Sequence, residues 1–261
     1  MTSVLLIGTG RTAFHLGHAL KRADVTMAGV VGREASKTAA LATALGCPAF
    51  SFKDALPAGD VRLLCISDDA IEEVAKLLPM SSGVIAHTSG AKSVTLLGDH
   101  AHRGVLWPIQ SLSPGEPIDL LHVPLVIDAE DEMALNMLRD LAKRISSNVV
   151  ELTREKRQLL HLSAVFASNF PVFLLREAER LLKENGLSPE LIHPLWQATT
   201  AKASLGAEQA LTGPARRGDL RTIGQHLDRL TLDPDLRRAY GLLSDLILKS
   251  YHPDKVGKRE P

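Results

Sequence analysis

Two stretches of this chain bring residue types together at a spacing that chemistry can use. The first is Gly8-x-Gly10-x-x-Ala13, entered from the apolar run Val4, Leu5, Leu6, Ile7 and left through Phe14, Leu16 and Leu20 at helical spacing. Gly8 permits a tight turn, Gly10 lets backbone approach a bulky anion, and Ala13 keeps a helix close to the sheet. The opening N–H groups of that helix then face the anion. Glycine spacing alone is weak evidence, and its plainer reading is a Gly-rich strand-to-helix turn. The buried strand before it and the helix after it point instead to a dinucleotide, with the pyrophosphate held by Gly8, Thr9, Gly10, Arg11, Thr12 and Ala13. The second stretch, residues 160–175, sets polar groups into an otherwise apolar helical run. His161, Val165, Ser168 and Asn169 fall at i, i+4, i+7 and i+8 and so share one face. Pro171 removes a backbone hydrogen bond, which predicts a kink near Ala167 and a freed carbonyl beside Asn169. Imidazole chemistry suits proton transfer. The bland alternative is a His and an Asn satisfied by backbone at the kink.

The end of the second strand selects between dinucleotides. A carboxylate there would bond a ribose 2′-hydroxyl and repel a 2′-phosphate. Here residues 28–31 end in Gly32–Arg33, with Ser36 and Lys37 just beyond. Guanidinium, ammonium and hydroxyl groups favour the phosphate, so NADP is expected over NAD. Glu34 sits one position past the place where a discriminating carboxylate belongs; the alternative is that Arg33 and Lys37 only solvate a helix start. Ser67 and Asp68 follow the next strand, where backbone passes the dinucleotide. Asp68 or Asp69 reads as a helix cap rather than a catalytic acid.

The elements that would position these groups are visible in the first half of the chain. Strands are expected at 3–7, 26–31, 62–67, 83–87 and 104–106, with weaker ones at 123–127 and 148–152. Helices are expected at 13–22, 36–45, 69–78 and 132–145. Such alternation predicts an α/β fold, a mostly parallel sheet of Rossmann type. After Arg154 strand signals vanish, and helices are expected at 155–185, 189–205, 220–231 and 234–250. We therefore expect a dinucleotide-binding domain at 1–153 and an all-helical domain at 154–261, the latter pairing two copies and shaping the substrate site.

Composition fits a globular protein of 261 residues, 45% hydrophobic and 23% charged. Thirty basic residues balance thirty acidic ones, which removes any global field toward nucleic acid or an anionic membrane. Lys255, Lys258 and Arg259 make a mildly basic tail that reads as a frayed terminus. Cys47 and Cys65 show no metal spacing and suit a reducing cytoplasm. The start carries no signal-peptide pattern, and the longest apolar stretch, 164–175, is broken by Ser168, Asn169 and Pro171. His15, His18, His100, His102, His122, His193, His226 and His252 show no metal-ligand spacing and read as packing or surface residues.

His87, Thr88 and Ser89 end a strand at the carboxyl edge of the sheet, where open α/β sheets bind ligands. Ser89 with Gly90 offers a hydroxyl and an N–H to a substrate carboxylate, or simply caps a helix. Gln110 and Ser111 follow the next strand toward the same edge, and Trp107 suits either core or pocket. Residues 212–219 join two helices, with Asp219 as an N-cap and Gly213 as a helix-ending residue.

The segments His87–Thr88–Ser89–Gly90–Ala91, Pro108–Ile109–Gln110–Ser111, 161–170 and 211–219 stand in an order that resembles one family. It is a group of Rossmann-like oxidoreductases whose helical C-terminal domain is similar to that of 6-phosphogluconate dehydrogenase. Pyrroline-5-carboxylate reductase and the deazaflavin-dependent NADP oxidoreductase are more distant relatives. The resemblance covers nearly the whole chain and implies NADP, a helical dimerising domain and hydride transfer to or from a small carbonyl, imine or hydroxy compound. It implies His161 as proton donor, Asn169 as the amide that holds a carbonyl or imine, and Arg217 as an anion clamp reaching the partner's cleft, with Lys202 a weaker candidate. One departure stands out: the family places His before its Pro-x-Gln-Ser segment, and this chain has Trp107. That departure, and the lack of a clear catalytic Lys, support the alternative of a non-enzymatic NADP-binding regulator.

Overall fold

Val4, Leu5, Leu6 and Ile7 lose all contact with solvent because both faces of their strand are covered. That is why the run is continuously apolar rather than alternating. It forms β1 (Ser3–Ile7) in a computed structural model that describes residues 2–256. Lys258 and Arg259 lie outside the described residues.

The chain forms two compact units, Met1–Val172 and Phe173–Pro261. The first holds an eight-stranded sheet. Its strands are β1, β2 (Thr26–Val31), β3 (Ala49–Phe50), β4 (Val61–Leu64), β5 (Val84–His87), β6 (His102–Pro108), β7 (Leu125–Ala129) and β8 (Val149–Glu151). Their order is β3-β2-β1-β4-β5-β6-β7-β8. Neighbours are parallel except β6 and β7, where Trp107 lies opposite Val126. Helices α1 (Arg11–Arg22), α2 (Ala35–Leu45), α3 (Ile71–Leu77) and α4 (Glu132–Ile145) cover the sheet. One apolar cluster packs α1, α2 and α4 on one face, through Leu16, Leu20, Leu41 and Leu138, and a second packs α3 on the other through Ile71, Val74 and Ala75. Gly17 marks how closely α1 lies on the sheet, since a Cβ there would come 3.1 Å from Leu6 and 2.7 Å from Leu45.

After Thr153 the chain is helical. A run from Arg154 to Glu184 comprises α5 (Arg154–Ala164), a π turn (Val165–Asn169) and α6 (Phe170–Glu184). The irregularity expected at Pro171 thus takes the form of a wide turn just before the proline, which lacks the N–H an α turn would use. This run is 31 residues long with mean hydropathy 1.4 in its most apolar window, enough by length and composition to cross a membrane. The second unit continues through α7 (His193–Leu205), α8 (Ala207–Ala210), α9 (Pro214–Arg217), α10 (Leu220–Arg229) and α11 (Pro234–Tyr251). Its buried core is small, built on Ala215, Ile223 and Leu248. Charge pairing supplements it: the carboxylate of Glu177 accepts from Arg176 and Arg180, and Arg180 also bonds Asp233.

Much apolar surface stays uncovered. Leu159, Leu162, Phe166, Phe170 and Phe173 recur every three or four residues and are 47% to 64% exposed. Leu242, Leu243 and Leu246 on α11 are exposed as well.

Candidate functional site

Strands β2, β1, β4, β5 and β6 are neighbours and parallel, so the residues leaving their carboxyl ends line one edge in that order. Arg33, Gly8, Ser67 with Asp68, Ser89 with Gly90, and Trp107 with Gln110 therefore lie along a single rim. This is the rim at which open α/β sheets bind ligands.

At its centre Gly8 has φ +116°, and a Cβ there would sit 2.3 Å from the Cys65 carbonyl oxygen. Only glycine fits that turn. Gly10 is exposed, and a Cβ added to it would meet nothing within 4 Å. It opens α1 as N-cap with no side-chain cap and no acid in the first turn. The first N–H groups of α1 thus have no side-chain cap, and the positive end of the helix dipole lies behind them. Ala13 is fully buried against the sheet. An uncapped N-terminus beside a glycine facing open space fits a diphosphate, with Thr9, Arg11 and Thr12 flanking it.

At the β2 end, Arg33, Ser36 and Lys37 are all exposed. Glu34 engages two of them: Lys37 Nζ lies 2.7 Å from its carboxylate, and Ser36 Oγ donates to it at 3.2 Å. The Lys37 contact holds the Glu34 carboxyl below its usual range. Thr38 Oγ donates to the Glu34 carbonyl and starts α2. A 2′-phosphate here would meet Arg33 directly and would compete with Glu34 for Lys37 and Ser36.

The turn after β5 is held from within. His87 is fully buried; its Nδ1 accepts from the Ser89 N–H at 3.2 Å, which leaves Nε2 to donate to the Ser93 carbonyl at 3.2 Å. Burial pushes its pKa down to about 4, so the ring stays neutral. Ser89 Oγ donates to Asp68 at 2.8 Å and accepts from the N–H groups of Ala91 and Lys92. His87 and Ser89, both read from sequence as substrate contacts, are thus committed to shaping the turn. What the turn presents is Gly90. A Cβ there would come 2.5 Å from Trp107 Cε2 and 2.8 Å from His161 Cδ2. The rings of Trp107 and His161 pack with centroids 5.6 Å apart. Gly90, Trp107 and His161 thus form one cluster at the rim, with both rings partly exposed.

Asn169 and Ser168 lie in the π turn and are exposed, as is Gln110 beyond β6. In the second unit Arg217 is exposed at the end of α9, between Gly213 and Gly218 at positive φ. The loop is fixed by its neighbours: Asp219 accepts from the Thr222 N–H, and His252 and Lys255 bond the carbonyls of Arg216 and Gly218. Lys202 is exposed on α7.

Sequence reasoning missed three residues that build this rim. His15, buried on α1, bonds Ser113 O at 2.9 Å and accepts from the Ile118 N–H, tying down the loop after Gln110. Arg157, fully buried on α5, reaches Asp128 at the end of β7 and the carbonyls of Ser89 and Gly90. The available signal was Arg157 standing one helical turn before His161.

Comparisons with known proteins agree with this layout. A Rossmann-like domain family matches residues 1–110, and a domain of unknown function, DUF2520, matches residues 123–247. A crystal structure of a candidate NADP oxidoreductase from Bacteroides fragilis is 30% identical, with TM-score 0.86, covering 94% of this chain and 97% of that one. A protein from Thermotoga maritima is 25% identical, with TM-score 0.75 and coverage of 97% and 99%. At 15% identity, 1-pyrroline-5-carboxylate reductase from Streptococcus pyogenes shares the fold, with TM-score 0.63 and coverage of 94% and 98%. Glutamyl-tRNA reductase from Shewanella loihica is 27% identical over 90% of this chain, which spans only 57% of that relative's length. Both domain families follow in order, and the likeness runs along nearly the whole Bacteroides protein, so the chain belongs to the family of Rossmann-like proteins that carry a C-terminal DUF2520 domain.

Proposed function

We propose that this protein is an NADP-dependent oxidoreductase acting on a small carbonyl, imine or hydroxy compound. One observation carries the reading: His161 packs against Trp107 and Gly90 on the same rim that holds the uncapped N-terminus of α1. When bound, the nicotinamide cofactor supplies or accepts the hydride. The first turn of α1 holds the diphosphate, and Arg33 holds the 2′-phosphate with help from Ser36 and Lys37. His161 donates or takes the proton at the substrate heteroatom, and Asn169 orients that atom through its amide. Trp107 and Gly90 exclude water beside the ring. Arg217 reaches the cleft of a second copy in a dimer and clamps an anionic group of the substrate there. The test is NADPH oxidation over a panel of keto acids and cyclic imines. Turnover of one of them, lost in His161→Gln while NADPH still binds, supports the reading; no turnover across the panel opposes it.

A second reading, an NADP-binding regulator without turnover, draws on the commitment of His87 and Ser89 to the turn. Tight NADPH binding without oxidation of any panel compound favours it.

We further propose a homodimer that buries the exposed stripe from Leu159 to Phe173, since isolated apolar surface of that regularity marks a contact face. The free thiols Cys47 and Cys65 fit a reducing, cytoplasmic setting. Balanced charge gives no reason to propose a nucleic-acid or membrane partner.

A further inference from the structure

Arg157 is fully buried, yet its guanidinium does more than neutralise one carboxylate. Nε and Nη2 donate to Asp128 Oδ2 at 3.3 and 3.2 Å. Nη1 donates to two carbonyls at once, Ser89 at 3.1 Å and Gly90 at 3.0 Å. The planar fork of Arg can meet these three acceptors together, whereas a Lys ammonium on its flexible stem cannot hold the same geometry. The next residue adds a second tie, Gln158 Nε2 donating to the Ala91 carbonyl at 3.1 Å.

Burial of this pair is costly. Desolvation raises the Asp128 carboxyl and lowers the Arg157 guanidinium, each against the pull of the other. Apolar residues would fill the same space more cheaply, so the pair calls for a geometric reason. That reason lies one turn along α5. Arg157 and His161 are spaced i, i+4 and share a face, so the guanidinium that grips the Gly90 carbonyl also sets where the His161 ring meets Gly90 and Trp107.

We propose that Arg157 is the positioning residue of this site: it locks the Ser89–Gly90 turn, the end of β7 and the helix carrying His161 into one unit, fixing the imidazole against the Trp107 indole. The proposal rests on the reading of His161 as a proton donor for its significance, but its test reads ring geometry and needs no substrate.

The chain has two tryptophans, so Trp196→Phe leaves Trp107 as the sole indole reporter. In that background His161→Gln defines how far the neighbouring imidazole quenches Trp107 emission. Arg157→Met combined with Asp128→Leu removes both charges together and leaves neither buried alone. The expected result is a cooperative melt, with Trp107 emission moved to the His161→Gln value. Arg157→Lys keeps a cation beside Asp128 and serves as the second test where the double variant does not fold. Its emission is expected to lie between parent and His161→Gln. Parent-like emission in a folded variant of either kind overturns the proposal, as does a His161→Gln variant that leaves Trp107 emission unchanged. NADPH oxidation plays no part in this readout, so the absence of turnover would count against the proposed function alone.

Discussion

The His161 imidazole and the Trp107 indole pack at 5.6 Å between centroids with 50° between their planes, and Gly90 fills the angle between them. Three residues from a helix, a strand and a turn thus meet with no room to spare. The consequences of that fit can be measured.

Gly90→Ala places a methyl within 2.5 Å of the indole and 2.8 Å of the imidazole, so one ring must move. Overpacking of this kind costs about 1–3 kcal/mol. We expect a lower midpoint in denaturant and loss of turnover, with NADPH affinity unchanged because the Gly8–Ala13 loop is untouched. An unaltered midpoint would show the contact to be looser than the structure has it.

Arg33 is the cation left unengaged by Glu34 at the end of β2. Arg33→Ala should erase most of the preference for NADPH over NADH, by roughly 1.5–3 kcal/mol for a charged hydrogen bond. Glu34→Gln should act in the opposite direction, freeing Lys37 and Ser36 and tightening NADPH. Calorimetry on the two variants checks both signs, and equal affinities of the parent for the two cofactors would refute the assignment.

His87 gives acid sensitivity of predictable sign. Its folded pKa, about 4, lies below the ordinary value of 6.5, so the unfolded chain takes up a proton where the folded chain does not. Stability from this residue is intact above about pH 6.5, falls as pH drops toward 4, and levels off below. The full span is about 3 kcal/mol, from 1.36 kcal/mol per unit. His87→Gln should flatten that part of the curve in urea titrations at a series of pH values. An acid limb as steep as the parent's would assign the loss elsewhere.

The stripe Leu159, Leu162, Phe166, Phe170 and Phe173 should pair two copies of the chain. Light scattering at micromolar concentration is expected to give twice the mass of one chain, and Phe166→Glu with Phe170→Glu to give a single chain. A monomeric parent, or a dimer indifferent to both substitutions, would exclude this face.

The scaffold was legible where burial dictates pattern. The expected bounds 3–7, 26–31 and 132–145 coincide with β1, β2 and α4, because continuous apolar runs and a capped amphipathic helix leave little choice. β3 escaped notice because two residues carry no alternation. The strand expected at 62–67 ends at Leu64, since the apolar run continues into Cys65, whose carbonyl packs against Gly8. At the rim, the glycine loop was readable because its chemistry is local. Arg157 and Asp128 were not, being 29 positions apart, and an Arg closing the charged run Arg154–Glu155–Lys156–Arg157 at a helix start reads as a solvated one. His87 and Ser89 were placed at the right edge, but sequence could not reveal that their polar atoms face inward to bond the turn.

The π turn at Val165–Asn169 changes the phase of the helix it interrupts. In an unbroken α-helix, eight residues at about 100° each carry Asn169 some 80° past His161 and leave Ser168 nearly in line. A turn closed by i→i+5 bonding is wider, so each residue in it advances by less. By that geometry a π turn brings the Asn169 backbone position back toward the line of His161 and moves the Ser168 position off it. In effect one extra residue has been threaded into the helix, and the backbone position it brings toward the line of His161 carries an amide where an unbroken helix would carry a hydroxyl.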